Sequence, residues 1–153
     1  MYDLLLDEAY CKGITVYEHV KFESNSKGLV KGNKIALSHK LNTIKERTCV
    51  LAEELAHKDI NVGDIINQNN IDNRKQEYKA RKLTFDRMVG LTGIIDAYKY
   101  GCRSLFDMSE FLDVPQEFLE NSLECYKKRY GVCITIDTYI IYFEPILQIG
   151  QIY

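Results

Sequence analysis

The amino-acid sequence predicts an α+β fold, on three observations. Short alternating, β-branched stretches lie near the start, long breaker-free segments with helical spacing fill the middle, and two apolar β-branched runs flank Asp137-Thr138 near the end. At 153 residues the chain suffices for one domain with a proper core, or for a domain plus a small appendage.

The elements follow in order. Residues 2–12 place Leu5, Leu6, Ala9 and Tyr10 at amphipathic-helix spacing, and Gly13 ends the run. "ITVYEHV" (14–20) reads as a strand, and "GLVKGNKIALS" (28–38) as a hairpin turning at Lys31-Gly32-Asn33, which together predict a small antiparallel sheet. Thr43 and Glu46 form a capping-box pair that opens a helix with no breaker before Gly63. Ile44, Thr48, Leu51 and Leu55 form its core stripe, with Ala52 and Ala56 beside them. Residues 61–73 are polar and turn-prone, a loop between helices, and 73–89 read as the next helix. Three short helices are expected over 92–131, with Pro115 at a first turn and Gly131 as a C-terminal cap. A terminal hairpin closes the chain.

Composition narrows the function classes. A net charge of −2 gives no overall attraction to nucleic acid or acidic lipid. The five cysteines (11, 49, 102, 125, 133) are odd in number and never spaced as C-x-x-C. That pattern argues for reduced thiols in a cytosolic protein and against a disulfide framework or a cysteine zinc knuckle. The opening "MYDLLLDEAY" has acids around its leucines and no basic stretch, unlike a signal peptide, and no apolar run approaches the roughly 20 residues that span a bilayer. A soluble, cytoplasmic protein is expected.

The chemistry concentrates in "LAEELAHKDINVGD" (51–64). The metalloprotease signature H-E-x-x-H sets two histidines one helical turn apart for zinc, with the glutamate between them as general base. Here the frame reads Glu53-Glu54-Leu55-Ala56-His57, with glutamate in the first histidine's place. Zinc accepts carboxylate oxygen as well as imidazole nitrogen, so Glu53 and His57 supply two ligands from one helix. The next helix offers Glu77 as a third, leaving Glu54 as general base. On spacing alone, a solvated acidic helix with a satisfied histidine is the favoured explanation. A di-iron reading of Glu54-x-x-His57 fails because neither His19 nor His39 has a glutamate three residues before it.

Two segments add weight to the metal reading. "CVLAEELAHKDINVGDII" followed by "NRKQEYKARKLTFDRMV" resembles the helix pair of the ImmA/IrrE family of small metallo-endopeptidases, particularly short members from phages and integrated elements, and the likeness runs from about residue 2 to 131. In that family the first helix carries H-E-x-x-H and the second a glutamate ligand in an E-x-x-A context. Glu77-Tyr78-Lys79-Ala80 fits that context, His57 matches the second histidine, Glu54 the general base, and Glu53 stands at the first histidine. The resemblance implies a minimal zincin-like domain over 1–90 and a helix-turn-helix-like segment over 91–131, and the hairpin read from the residues of 132–153 is expected to pack on the same core. It also implies a zinc cofactor and cleavage of a cognate helix-turn-helix repressor of a phage or mobile element. Glu53 puts a second negative charge among the ligands. That weakens the metal as a Lewis acid and favours harder cations such as manganese, and it leaves open a degenerate site that holds no metal. The second functional class is therefore a non-catalytic relative that binds a protein partner through the same groove.

Direct DNA binding is not expected. The helix-turn-helix-like segment resembles the family tail through Phe111-Leu112-x-Val114, but from Asp113 to Glu124 it has four acids (Asp113, Glu117, Glu120, Glu124) and no Lys or Arg. Phosphates would be repelled there, so the segment reads as a packing unit or a protein-docking surface. The bases of 73–89 (Arg74, Lys75, Lys79, Arg81, Lys82 and Arg87) spread around their helix and specify no partner.

Overall fold

Thr43 opens the longest helix as its capping residue should: its Oγ1 accepts from the Glu46 backbone N–H at 3.1 Å, while the Glu46 carboxylate accepts from the Asn42 N–H at 2.9 Å. In the computed structural model, which describes residues 1–63 and 70–153, the chain divides into two units, 1–84 and 85–153.

The first unit contains α1 (Tyr2–Cys11), β1 (Thr15–Val20), β2 (Gly28–Lys31), β3 (Lys34–Ser38), α2 (Ile44–Gly63) and most of α3 (Asn70–Met88). Its sheet has the order β1-β3-β2. The β2–β3 hairpin is antiparallel and turns at Gly32, whose φ of 59° suits glycine. The expected antiparallel sheet is corrected by β1, which pairs parallel to β3 from Thr15↔Lys34 to Tyr17↔Ala36, with an irregularity near His19 (φ 55°) before Val20↔Ser38. The physical reason is connectivity. The hairpin reverses the chain, so β1, docking on β3 and not on its sequence neighbour β2, runs in β3's direction. Alternation alone cannot distinguish the two pairings.

Ile35 and Leu37 alternate inward from β3 and are completely buried, as are Leu51 and Leu55 on α2. Burying each such side chain contributes about 1.5–3 kcal/mol. Ala52 and Ala56 lie beside them, also buried. The predicted helix stripes fail at their ends: Ile44 is 60% and Tyr10 85% exposed. Each sits on a terminal turn where the neighbouring element does not cover it. On α1, Leu5 and Ala9 alone are fully covered. The Tyr2 hydroxyl donates to Glu18 and ties α1 to β1. Of the predicted 61–73 loop, α2 takes residues through Gly63 and α3 those from Asn70, and 64–69 lie outside the described residues.

The second unit contains α4 (Leu91–Tyr100), α5 (Leu105–Leu112), α6 (Gln116–Tyr130), β4 (Cys133–Ile136), β5 (Tyr139–Tyr142) and β6 (Gln148–Gln151). Ser104 caps α5 by accepting from Asp107 N–H at 3.0 Å. Asp113 closes α5 in the left-handed region, and Pro115 precedes α6 as its N-cap. Completely buried Tyr126 accepts from Gly90 N–H at 3.2 Å, and its ring packs against Phe143 at a centroid distance of 6.4 Å. Arg129 pairs with Asp86 at 3.0 Å. The predicted terminal hairpin is present as antiparallel β4–β5 around Asp137 (φ 52°). A third strand, β6, adds to β5, making a three-stranded antiparallel sheet. Its sequence, Gln-Ile-Gly-Gln, is too short and polar to carry a strand signal.

None of the five cysteines is in a disulfide, and Cys11 and Cys133 are exposed. No helix among the described residues is long and apolar enough to cross a membrane.

Candidate metal centre

Helical periodicity sets the site on α2. Leu51 and Leu55 face the core, and the positions two residues on, Glu53 and His57, project about 200° away, one turn apart. Their side chains are half-buried, at 32% and 15% exposure. The neighbours that follow them are fastened. Lys58 donates to Gly32 O at 2.8 Å and Asn33 Oδ1 at 3.0 Å in the β2–β3 turn. Asp59 pairs with Lys12 at 3.0 Å. The turn of α2 that carries His57 is thus held from two sides.

Glu77 comes from α3. Ala80, three residues later, is completely buried, so the E-x-x-A segment puts a small covered position and a solvent-reaching carboxylate on successive turns of one helix. The His57 Nε2 atom lies 3.9 Å from Glu53 Oε1 and 3.8 Å from Glu77 Oε1. Both distances exceed hydrogen-bond length, so the ring stands between two carboxylates without being bonded to either. One donor atom from each of Glu53, His57 and Glu77 lies within 4.8 Å of the other two. The three sequence-predicted ligands therefore converge.

The donor set fits a divalent cation. Tetrahedral zinc bonds of roughly 2.0–2.2 Å hold donor atoms about 3.3 Å apart, so the His57 distances need close by only about 0.5 Å. Two carboxylates and one imidazole suit zinc and manganese alike. Three protein donors leave coordination positions open, as a catalytic site requires.

Glu54 lies next to the trio in sequence but points differently. Burial, and then the negative charges of Glu53 and Glu77, push its carboxyl up from 4.5 to about 7. The carboxyl can therefore both take up and release a proton at neutral pH.

Sequence reasoning missed Gly28, at the start of β2. A Cβ there would come 2.7 Å from Val50 Cγ1, 2.8 Å from Glu54 Oε1 and 3.0 Å from Glu54 Cγ. Glycine is what lets the strand pass over the Glu54 side chain. A glycine inside a strand signals close approach, but nothing in the linear sequence names the group 26 positions away. Gly28→Ala is expected to cost about 1–3 kcal/mol in denaturant unfolding by overpacking. Gly150→Ala, where a Cβ meets nothing within 4 Å, should change stability by less than about 0.5 kcal/mol. Equal effects at the two sites would contradict the close approach.

No family model, curated protein or solved structure matches this chain.

Proposed function

We propose that the protein is a metal-dependent endopeptidase of the ImmA/IrrE type, with a zincin-like site in its first unit, and that it cleaves a cognate helix-turn-helix repressor of a phage or mobile element. The observation that carries this reading is the convergence of Glu53, His57 and Glu77 beside a half-buried Glu54 whose carboxyl is pushed up to about 7. The repressor substrate rests on the sequence resemblance alone.

Glu53, His57 and Glu77 would hold zinc or manganese, which supplies the Lewis acidity for peptide-bond hydrolysis. Glu54 is the general base. Its carboxylate would remove a proton from the attacking water, and its acid form would return one to the leaving amine. Glu77, with a side chain 56% exposed, leaves the site open on one side to a polypeptide.

One feature favours a second reading, a non-catalytic protein-binding relative. Glu53 makes two of the three donors anionic and so depletes the Lewis acidity that hydrolysis needs. Untagged protein incubated with zinc or manganese and a library of quenched fluorescent peptides separates the two readings. Cleavage that depends on metal and stops with chelator supports the peptidase. Metal uptake with no cleavage of any peptide, and none of a helix-turn-helix repressor, favours the binding relative.

A further inference from the structure

The six bases of 73–89 spread around α3, yet two of them share a face with Glu77. Arg74 precedes Glu77 by three residues and Arg81 follows it by four, so all three side chains project within about 60° of one another. Lys75 and Lys79 project from the opposite side of the helix, and Lys82 lies over the Tyr78 ring at 5.4 Å. Arg74 and Arg81 are therefore the cations of α3 that border the metal centre.

Both are exposed, and neither has an ion-pair or hydrogen-bond partner among the described residues. A cation four residues after a glutamate is the favoured helical ion-pair order, and Glu77 with Arg81 has it. Glu77 nevertheless turns its carboxylate to His57, at 3.8 Å, and leaves both guanidinium groups uncommitted. On α2 the cation next to the site is already held. Lys58 donates to Gly32 O at 2.8 Å and Asn33 Oδ1 at 3.0 Å.

Along the helix axis Arg74 lies about 4.5 Å before Glu77 and Arg81 about 6 Å after it. An extended peptide, at about 3.3 Å per residue, covers that span in three residues. We infer that Arg74 and Arg81 select a polypeptide with acidic residues on both sides of the bond that lies at the metal centre. Each guanidinium pairs with a carboxylate through two N–H groups, which fixes the chain's register as well as its charge. Two cations at the rim also draw an acidic segment toward a pocket whose own side chains are carboxylates. The inference rests on the proposed metal site and names the substrate class that it takes.

The test uses the intact, zinc-loaded protein and three fluorescein-labelled dodecapeptides that differ only in two central residues, three positions apart, which are glutamate, glutamine or lysine. Fluorescence anisotropy at low and physiological salt reads binding, and calorimetry on the same preparations reads zinc uptake. The glutamate peptide should bind roughly tenfold more tightly than the glutamine peptide, and the lysine peptide most weakly. Arg74→Gln and Arg81→Gln should each weaken glutamate-peptide binding by roughly fivefold and leave the glutamine peptide unaffected. Lys75→Gln, on the opposite side of α3, should change either by less than about twofold. Circular dichroism establishes that the variants fold, and all three targeted side chains are exposed. Zinc uptake with no preference for the glutamate peptide overturns this inference and leaves the proposed metal site standing. Equal losses in all three variants, which would mean diffuse attraction to α3, overturn it as well. Failure of the wild type to take up zinc overturns the metal site, and the inference falls with it.

Discussion

Replacing Glu54 by glutamine is expected to lower metal-dependent peptide hydrolysis by about 10²–10⁴-fold, the usual contribution of a positioned general base, while leaving zinc binding nearly intact. Glu54 is proposed as a base and not a ligand, so the amide removes proton transfer and keeps the donor set. The same substitution has a second signature in metal-free protein. The Glu54 carboxyl titrates near 7 in the fold and near 4.5 when unfolded. The native state therefore holds a proton that the unfolded state has released between those values, and wild-type stability falls as pH rises through that window. Below pH 4.5 the group is neutral in both states and contributes nothing. Above pH 7 the buried charge costs roughly 2 kcal/mol, allowing for solvent screening of a partly exposed group. Glu54→Gln should thus unfold about 5 °C higher than wild type at pH 8 and at nearly the same temperature at pH 4.5. A difference independent of pH would contradict the burial of Glu54 among like charges.

Glu53→His is expected to bind zinc roughly tenfold more tightly than wild type and to shift preference away from manganese, because imidazole suits zinc while carboxylate suits harder cations. The change restores His-Glu-Leu-Ala-His over residues 53–57 and lowers the negative charge of the donor set by one. A more positive centre is a stronger Lewis acid, so any peptidase activity should rise as well. The variant must first be shown to fold. Glu53 is half-buried and faces away from Leu51 and Leu55, so the core contacts of α2 should survive. Unchanged zinc affinity would mean that residue 53 is not a ligand.

The residues differ in how openly they announced this arrangement. Thr43 with Glu46, Ser104 before Leu105, and Gly131 after Tyr130 mark helix ends through side-chain capping or backbone freedom, both local properties. Gly32 and Asp137 likewise mark their hairpins. The one-turn spacing of Glu53 and His57 follows from helical geometry, so two of the three donors were legible once α2 was assigned. Glu77 was legible only as a candidate on the next helix, strengthened by the E-x-x-A resemblance, because its approach to His57 is a long-range contact that no local pattern sets. Three features depend on long-range partners that no local pattern names. They are the parallel docking of β1 on β3, the addition of β6 to β5, and the passage of Gly28 over Glu54. The exposure of Ile44 and Tyr10 belongs with them, since a helical stripe says which face is apolar and not where its cover ends.

The central claim is that Glu53, His57 and Glu77 together hold a divalent cation, and calorimetric titration of untagged, metal-free protein with zinc and then manganese tests it most directly. One ion should bind per chain in the wild type, and binding should be lost in His57→Ala and weakened by roughly tenfold or more in Glu77→Gln. No binding by the wild type, or binding that both variants retain unchanged, would contradict the account.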